Sequence, residues 1–288
     1  MKPIDYVLYG LVIFGWSTSW LPLKWQLGVV APEVSLFWRF LLACILMFIV
    51  AAAMKKPLIL PWRQHFRMMG LGLCLFSCNF TLFYYGGLNS TSGLLAVVFS
   101  CASLINIFLM TILFGQRPKL VMIIAAIFGF AGVGLMYAPQ LSGGNSGLSS
   151  LLLCLAGTTF FCMGNMVSSK VQQGGVNVIT ANCWGMMYGV VILGCISLIR
   201  GHEFTVEWTA QYLGGLLWLA IVSSVVAFSA YLALLGRIGP GKAGYATVIF
   251  PVGALLISTV MEGYQWGVLA VVGLSLVLLG NVIMVRSR

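Results

Sequence analysis

Apolar residues run along this chain in ten long blocks separated by short polar stretches: 4–23, 33–54, 68–88, 93–114, 120–138, 149–168, 177–199, 210–234, 243–261 and 266–285. A helix that crosses a bilayer needs about 20 predominantly apolar residues. The pattern therefore predicts an all-α integral membrane protein with ten transmembrane helices and no separate soluble domain. The first block lacks a small-residue cleavage site and ends in Leu21-Pro22-Leu23-Lys24, so it reads as a retained span rather than a signal peptide.

Composition agrees with the pattern. Hydrophobic residues make up 61% and charged residues 7% of 288 residues, against about 25% charge in soluble domains. So few ionic groups cannot cover a water-soluble fold of this size, and the lipid bilayer is the expected solvent and partner. The net charge of +10 raises the question of nucleic acid. Its distribution answers differently. With the N-terminus in the cytoplasm, Lys2, Lys55, Lys56, Arg63, Arg67, Arg117, Lys119, Lys170, Arg237, Lys242, Arg286 and Arg288 fall inside, and only Lys24, Arg39 and Arg200 fall outside or near the outer face. That is the positive-inside bias of a multi-pass protein. The expectation is a cell membrane, the bacterial inner membrane in particular, with both termini cytoplasmic and no nucleic-acid partner. All eight cysteines lie within blocks and none has CxxC spacing, so neither a disulfide framework nor a zinc site is expected.

The one linker-like stretch, residues 142–148, contains Ser142-Gly143-Gly144-Asn145-Ser146-Gly147 and divides the chain into 1–141 and 149–288. Five blocks lie on each side. An odd number of spans per half inverts the second half in the membrane, giving two inverted five-helix repeats. A shift of 146 residues aligns the blocks without a gap and carries Lys24 onto Lys170, Trp38 onto Trp184, Tyr85 onto Tyr231, Gly93 onto Gly239 and Gly134 onto Gly280. Small residues at helical spacing (Ala125, Gly129 and Gly132; Ala270, Gly273 and Gly280) fit either a dimer face or packing within one chain, so monomer and homodimer both stay open.

Polar groups inside apolar blocks mark the candidate site, because a polar face in lipid is unfavourable and turns inward. Thr158, Cys162, Asn165 and Ser169 follow i, i+4, i+7, i+11 on one helix face, and Trp16 and Ser19 stand at the matching places of the first half. Asn79 lies mid-block among Phe76, Phe80 and Phe83; Asn106 is similarly deep, with Ser100 and Ser103 nearby. Ser224, Phe228 and Tyr231 share a face, and the ninth block offers Tyr245 and a mid-helix Pro251, where a kink can free a carbonyl. Trp20, Phe83 and Phe99 add aromatic surface. Arg39 either snorkels to the outer interface or anchors a substrate carboxylate or Glu262; Glu33 and Glu262 are the other candidate charge anchors or gates. His65 and His202 fall on opposite sides and no catalytic or metal-binding cluster is evident, so an enzyme is not expected.

The stretch from Tyr231-Leu232-Ala233-Leu234 through Gly239-Pro240-Gly241 to Tyr245, followed by Phe250-Pro251-Val252 and Met261-Glu262-Gly263, resembles the EamA family of the drug/metabolite transporter superfamily. Phe14-Gly15-Trp16-Ser17, Lys24 and Trp38-Arg39-Phe40 resemble its first-repeat signatures, so the resemblance covers nearly the whole chain. Two positions depart from it: Gln116 stands where the family often has Glu, and Met261-Glu262 replaces Gly-Glu. The resemblance implies a two-repeat carrier that needs no cofactor and moves a small-molecule substrate by alternating access, often exporting amino acids or related compounds. It also implies a central cavity lined mainly by helices one, three, four, six, eight and nine. A multidrug or organic-cation exporter is the alternative, and a non-transporting scaffold or sensor a remote one.

Overall fold

Hydrocarbon offers the backbone no hydrogen-bond partners, so each apolar block must satisfy its own amides by coiling into a helix. A computed structural model describes residues 2–115, 119–141, 145–243 and 246–286. The expected site residue Tyr245, the family position Gln116 and residues 142–144 of the expected linker lie outside the described residues. Ten helical segments follow one another: α1 (Pro3–Lys24), α2 (Pro32–Ala53), α3 (Trp62–Gly87), α4 (Ser92–Leu113), α5 (Leu120–Leu141), α6 (Asn145–Gln173), α7 (Val178–Ile199), α8 (Ala210–Gly239), α9 (Ala246–Glu262) and α10 (Val268–Arg286). The first eight are long and apolar enough to cross a membrane, and α9 and α10 are shorter apolar helices. No strand occurs among the described residues.

Boundaries differ from expectation where polar residues continue a helix past its apolar block. Helix α3 starts at Trp62 and runs through Arg63, Gln64, His65 and Arg67 before its apolar part. Helix α6 starts at Asn145, so residues 145–148 of the expected linker are helical. Starts follow ordinary capping rules. Pro3 and Pro32 open their helices, where a missing N–H is harmless. Asn177 accepts from the Ile179 amide (2.9 Å) and Thr209 from the Tyr212 amide (3.2 Å).

Pairing between the halves follows the repeat. Helix α2 packs on α7, α4 on α9 and α5 on α10, each on its own counterpart, while α3 packs on α6 and α8 on α1. Exchanging the halves maps the last two pairs onto each other. Since spans alternate in direction, counterparts run oppositely, and the fold is two inverted five-helix repeats. The small residues singled out on the fifth and tenth blocks form the α5–α10 seam: a Cβ at Gly273 would stand 2.6 Å from the Gly132 carbonyl oxygen, and one at Gly280 would stand 2.6 Å from that of Ala125. That close approach uses the stripe within the chain.

Among the described residues, α1, α3 and α8 interrupt their ladders beside the centre of the bundle, and α4 bends there at Cys101. Helix α1 breaks between Ser17 and Trp20, where the Thr18 hydroxyl donates to the Phe14 carbonyl (2.8 Å) and that of Ser19 to Gly15. Helix α3 opens into a π-helical turn at Cys74–Cys78, and α8 into a longer one at Leu219–Ala227. The shift of 146 residues that aligns the halves places the first turn within the second. Such turns concentrate at functional sites.

Lys2, Lys55, Lys56, Arg63, Arg67, Lys119, Lys170, Arg237 and Arg286 mark one end of the bundle, here called the basic face. Lys24, Glu33, Arg200, Glu203, Glu207 and Glu262 mark the opposite face.

Candidate functional site

The interruptions in α1, α3 and α8 surround a central cavity of about 40 Å³, bounded also by α2 and α4. Its volume holds roughly three waters. Half of the lining residues are aromatic. Trp16 and Trp20 flank the break in α1; Trp20 lies edge-on to Phe83 (ring centroids 5.3 Å apart) and Phe99 (5.6 Å). Trp16 packs against Tyr231 at 4.8 Å and Phe250 at 5.7 Å. Break and rings are linked, because Ser17 just before the gap donates to the Phe250 carbonyl (3.0 Å).

One charge reaches this wall. Arg39 of α2 is 1% exposed, so it does not snorkel to the interface. Its Nε donates to Ser224 Oγ (3.1 Å) and its Nη2 to Ser223 Oγ (3.3 Å). The guanidinium carbon sits 4.4 Å from the Phe80 ring centroid and 5.1 Å from that of Phe40. Tyr84, whose hydroxyl donates to Gln26 Oε1 (2.7 Å), adds a neutral dipole beside it. Nη1 makes no hydrogen bond among the described residues. Asn79, one residue past the π turn of α3 and also 1% exposed, makes none from either amide atom.

None of the five carboxylates balances Arg39. Asp5 pairs with Arg237 (2.8 Å). Glu33 pairs with Arg200 and accepts from Tyr85 (2.9 Å). Glu262 accepts from the Ser92 amide (3.0 Å) and the Ser258 hydroxyl (2.6 Å), so it does not meet Arg39. Glu207 accepts from Thr209 (3.0 Å), and Glu203 is exposed.

Of the residues expected at the site, Trp16, Ser19, Trp20, Arg39, Asn79, Phe80, Phe83 and Phe99 line the cavity. Ser224 stands behind the wall and holds Arg39. Tyr231 lies in the adjoining aromatic cluster, where Asn165 donates to its hydroxyl (3.3 Å). Cys162 donates to the Ala102 carbonyl (3.2 Å), at the point where α4 bends after Cys101. Ser100 faces α10, donating to Val97 and accepting from Asn281 (3.4 Å). Asn106 is half-buried farther along α4 and does not line the cavity. Pro251 is buried in α9, which continues through it without a break. Sequence reasoning missed Leu23, Leu219 and Ser223 on the wall. The helix list implied by the resemblance leaves out the second helix, whose Arg39 the sequence itself singles out, and includes helices six and nine, which do not line this cavity. The doublet Ser223-Ser224 was the available signal, but an α-helix points adjacent residues apart. The π turn of α8 lets both reach one guanidinium.

The two ends differ. On the opposite face, Lys24 donates to the Gly87 and Ser90 carbonyls (2.9 Å to Ser90), joining α1 to the α3–α4 turn. Glu33 joins α2 to Arg200 at the end of α7, and its hydrogen bond and charge push that guanidinium further above its ordinary range. Ser90 meets the Tyr137 hydroxyl (3.2 Å). Toward the basic face a cavity of about 1000 Å³ opens instead, bordered by Lys56, Gln172, Asn177, Ser229 and Arg237. Helix α8 separates the two spaces, with Phe228 on the small one and Ser229 on the large one.

Inverted helical repeats around a central pocket, with one face of the bundle sealed and a separate cavity open at the other, define a multi-pass membrane protein. Residues 5–138 and 148–286 each match the profile of the EamA-like transporter family, and the chain belongs to that family. A probable amino-acid metabolite efflux pump of Escherichia coli is 25% identical over 282 residues, covering 92% of this chain and 91% of its own length. An uncharacterized inner membrane transporter of the same species is 25% identical over 294 residues, covering 96% and 90%. An uncharacterized transporter of Buchnera aphidicola is 24% identical over 267 residues, covering 91% and 86%. A crystal structure superimposes with a TM-score of 0.72 over 98% of this chain and 96% of its own, at 15% identity, and shares the fold. The family and these relatives are transporters rather than enzymes.

Proposed function

We propose that this transporter exports amino acids or related small metabolites by alternating access, with the central cavity as its binding site. The supporting observation is the pairing of aromatic walls with unsatisfied polar atoms, Nη1 of Arg39 and both amide atoms of Asn79, at the same buried place. Aromatic rings suit an apolar body, and the polar groups suit amino and carboxyl functions. The efflux-pump relative supports the substrate class and the inner membrane relative the location. The positive-inside bias supports a cytoplasmic basic face, from which the large cavity admits substrate. A multidrug or organic-cation exporter is the weaker reading, since a cation favours a buried carboxylate and this wall carries a guanidinium.

The test is flux. Purified protein in liposomes is loaded with labelled amino acids, organic cations or nucleoside-type solutes, with and without a pH gradient. Movement of amino acids above protein-free liposomes supports the reading, and movement of organic cations alone replaces it with the alternative. Flux of none of them under any gradient rejects the carrier function.

A further inference from the structure

Arg39 is a fully buried cation without an anion. Its surroundings supply two serine hydroxyls, one phenol and two aromatic faces, which orient and partly stabilise the guanidinium but leave its charge uncompensated. Buried charges are ordinarily paired, because desolvation penalises an isolated ion by several kcal/mol. The serines occupy Nε and one N–H of Nη2, which turns Nη1 into the unoccupied edge of the fork. Asn79, on the same cavity, keeps both a donor and an acceptor without partners.

We infer that Arg39 and Asn79 form a carboxylate subsite that makes the carrier select substrates bearing a carboxylate on an apolar body. This rests on the central cavity being the transport site. The carboxylate takes Nη1–H of Arg39 and Nδ2–H of Asn79, in charge-assisted bonds stronger than neutral ones. Asn79 Oδ1 then accepts an N–H from a neighbouring ammonium or amide, so a zwitterion satisfies all the vacant groups at once. The apolar body lies among Trp16, Trp20, Phe83 and Phe99. About 40 Å³ is too small for that body, so binding displaces the two tryptophans, and the break at Thr18 and Ser19 lets α1 give way.

Four probes of one shape separate the charges: phenylalanine, 3-phenylpropionate, phenylalaninamide and phenethylamine. Binding is read from tryptophan fluorescence of the purified protein, and transport from flux in liposomes. The wild-type protein is expected to bind and move the two carboxylates at least about tenfold better than the two cations, equivalent to about 1.4 kcal/mol. Arg39→Gln removes that preference, raising KM for carboxylates more than it lowers kcat, and Arg39→Lys restores part of it. Asn79→Asp offers a second route should Arg39→Gln fold poorly. It supplies the missing anion within the wall, so it raises thermal stability while abolishing carboxylate binding. Equal handling of phenethylamine and 3-phenylpropionate by wild-type protein overturns the subsite and leaves a carrier standing. An unchanged preference in Arg39→Gln, or retained carboxylate binding in Asn79→Asp, also overturns it. No flux of any probe or of the solutes above rejects the carrier and the subsite together.

Discussion

Trp38 and Trp184 occupy equivalent places in the two repeats, and each donates its indole N–H to a loop beyond the other's helix: Trp38 to the Thr205 carbonyl (3.1 Å), Trp184 to that of Leu58 (2.8 Å). The bonds lie at opposite ends of the α2–α7 pair. Replacing either residue with Phe keeps a ring and deletes one hydrogen bond, a loss of about 1 kcal/mol. Thermal denaturation in detergent should show a modest drop for each variant and the sum of both in the double variant, since the sites share no partners. A double variant no worse than one single variant would contradict their independence.

The α5–α10 seam makes a sharper stability prediction. A side chain at Gly132 meets the backbone of α10, whereas Gly134 has open space around its Cβ position. Gly132→Val is expected to destabilise by about 1–3 kcal/mol through overpacking, and Gly134→Val to change the melting temperature little. Equal effects at the two positions would remove the seam from the account.

Closure of the opposite face depends on few bonds. Lys24→Met deletes two contacts to the α3–α4 turn, and Glu262→Gln weakens the tie between α9 and Ser92. A cysteine placed at Ser90, which is buried, should react slowly with an impermeant maleimide in the otherwise wild-type chain. Adding either substitution should speed that reaction severalfold. Unchanged labelling would assign the seal to other groups.

Asn165 and Tyr231 form one unit beneath Trp16. Asn165→Leu and Tyr231→Phe each delete the same bond, so each should slow transport, and the pair should be little worse than either alone. Liposome flux at matched protein density reads this directly. Wild-type rates in both single variants would take the unit out of the transport path.

Much of this organisation was legible in the sequence because its causes are local. Hydrophobic length sets the spans, and an odd count of five sets the inversion. Asn79 and Arg39 were legible as expensive groups at depth. What depth does not reveal is which neighbour a polar group meets. Ser100 and Asn106 are as deep in the sequence as Asn79, yet Ser100 bonds to Asn281 on α10 and Asn106 lies outside the cavity. Span ends shifted for a related reason, since Arg63, Gln64 and Arg67 continue α3 where no apolar signal remains. Ser223 stayed hidden because its placement depends on a backbone irregularity that side-chain periodicity does not encode.

That irregularity bears on how the chain tolerates change in length. A π turn holds one residue more than the α turn it replaces, and one residue is worth about 100° of rotation. Deleting a single residue from Cys74–Cys78 would let the ladder of α3 close as an ordinary α turn and leave Asn79, Phe80 and Phe83 facing the wall, whereas a deletion in the regular part of α3 would turn the residues that follow it by about 100°. A deletion in Leu219–Ala227 would likewise spare the facing of Phe228 and Tyr231. The gap-free alignment of the halves places the interruption of α3 within that of α8, so each repeat holds beside the pocket the one place where its span can lose a residue without turning the residues that follow.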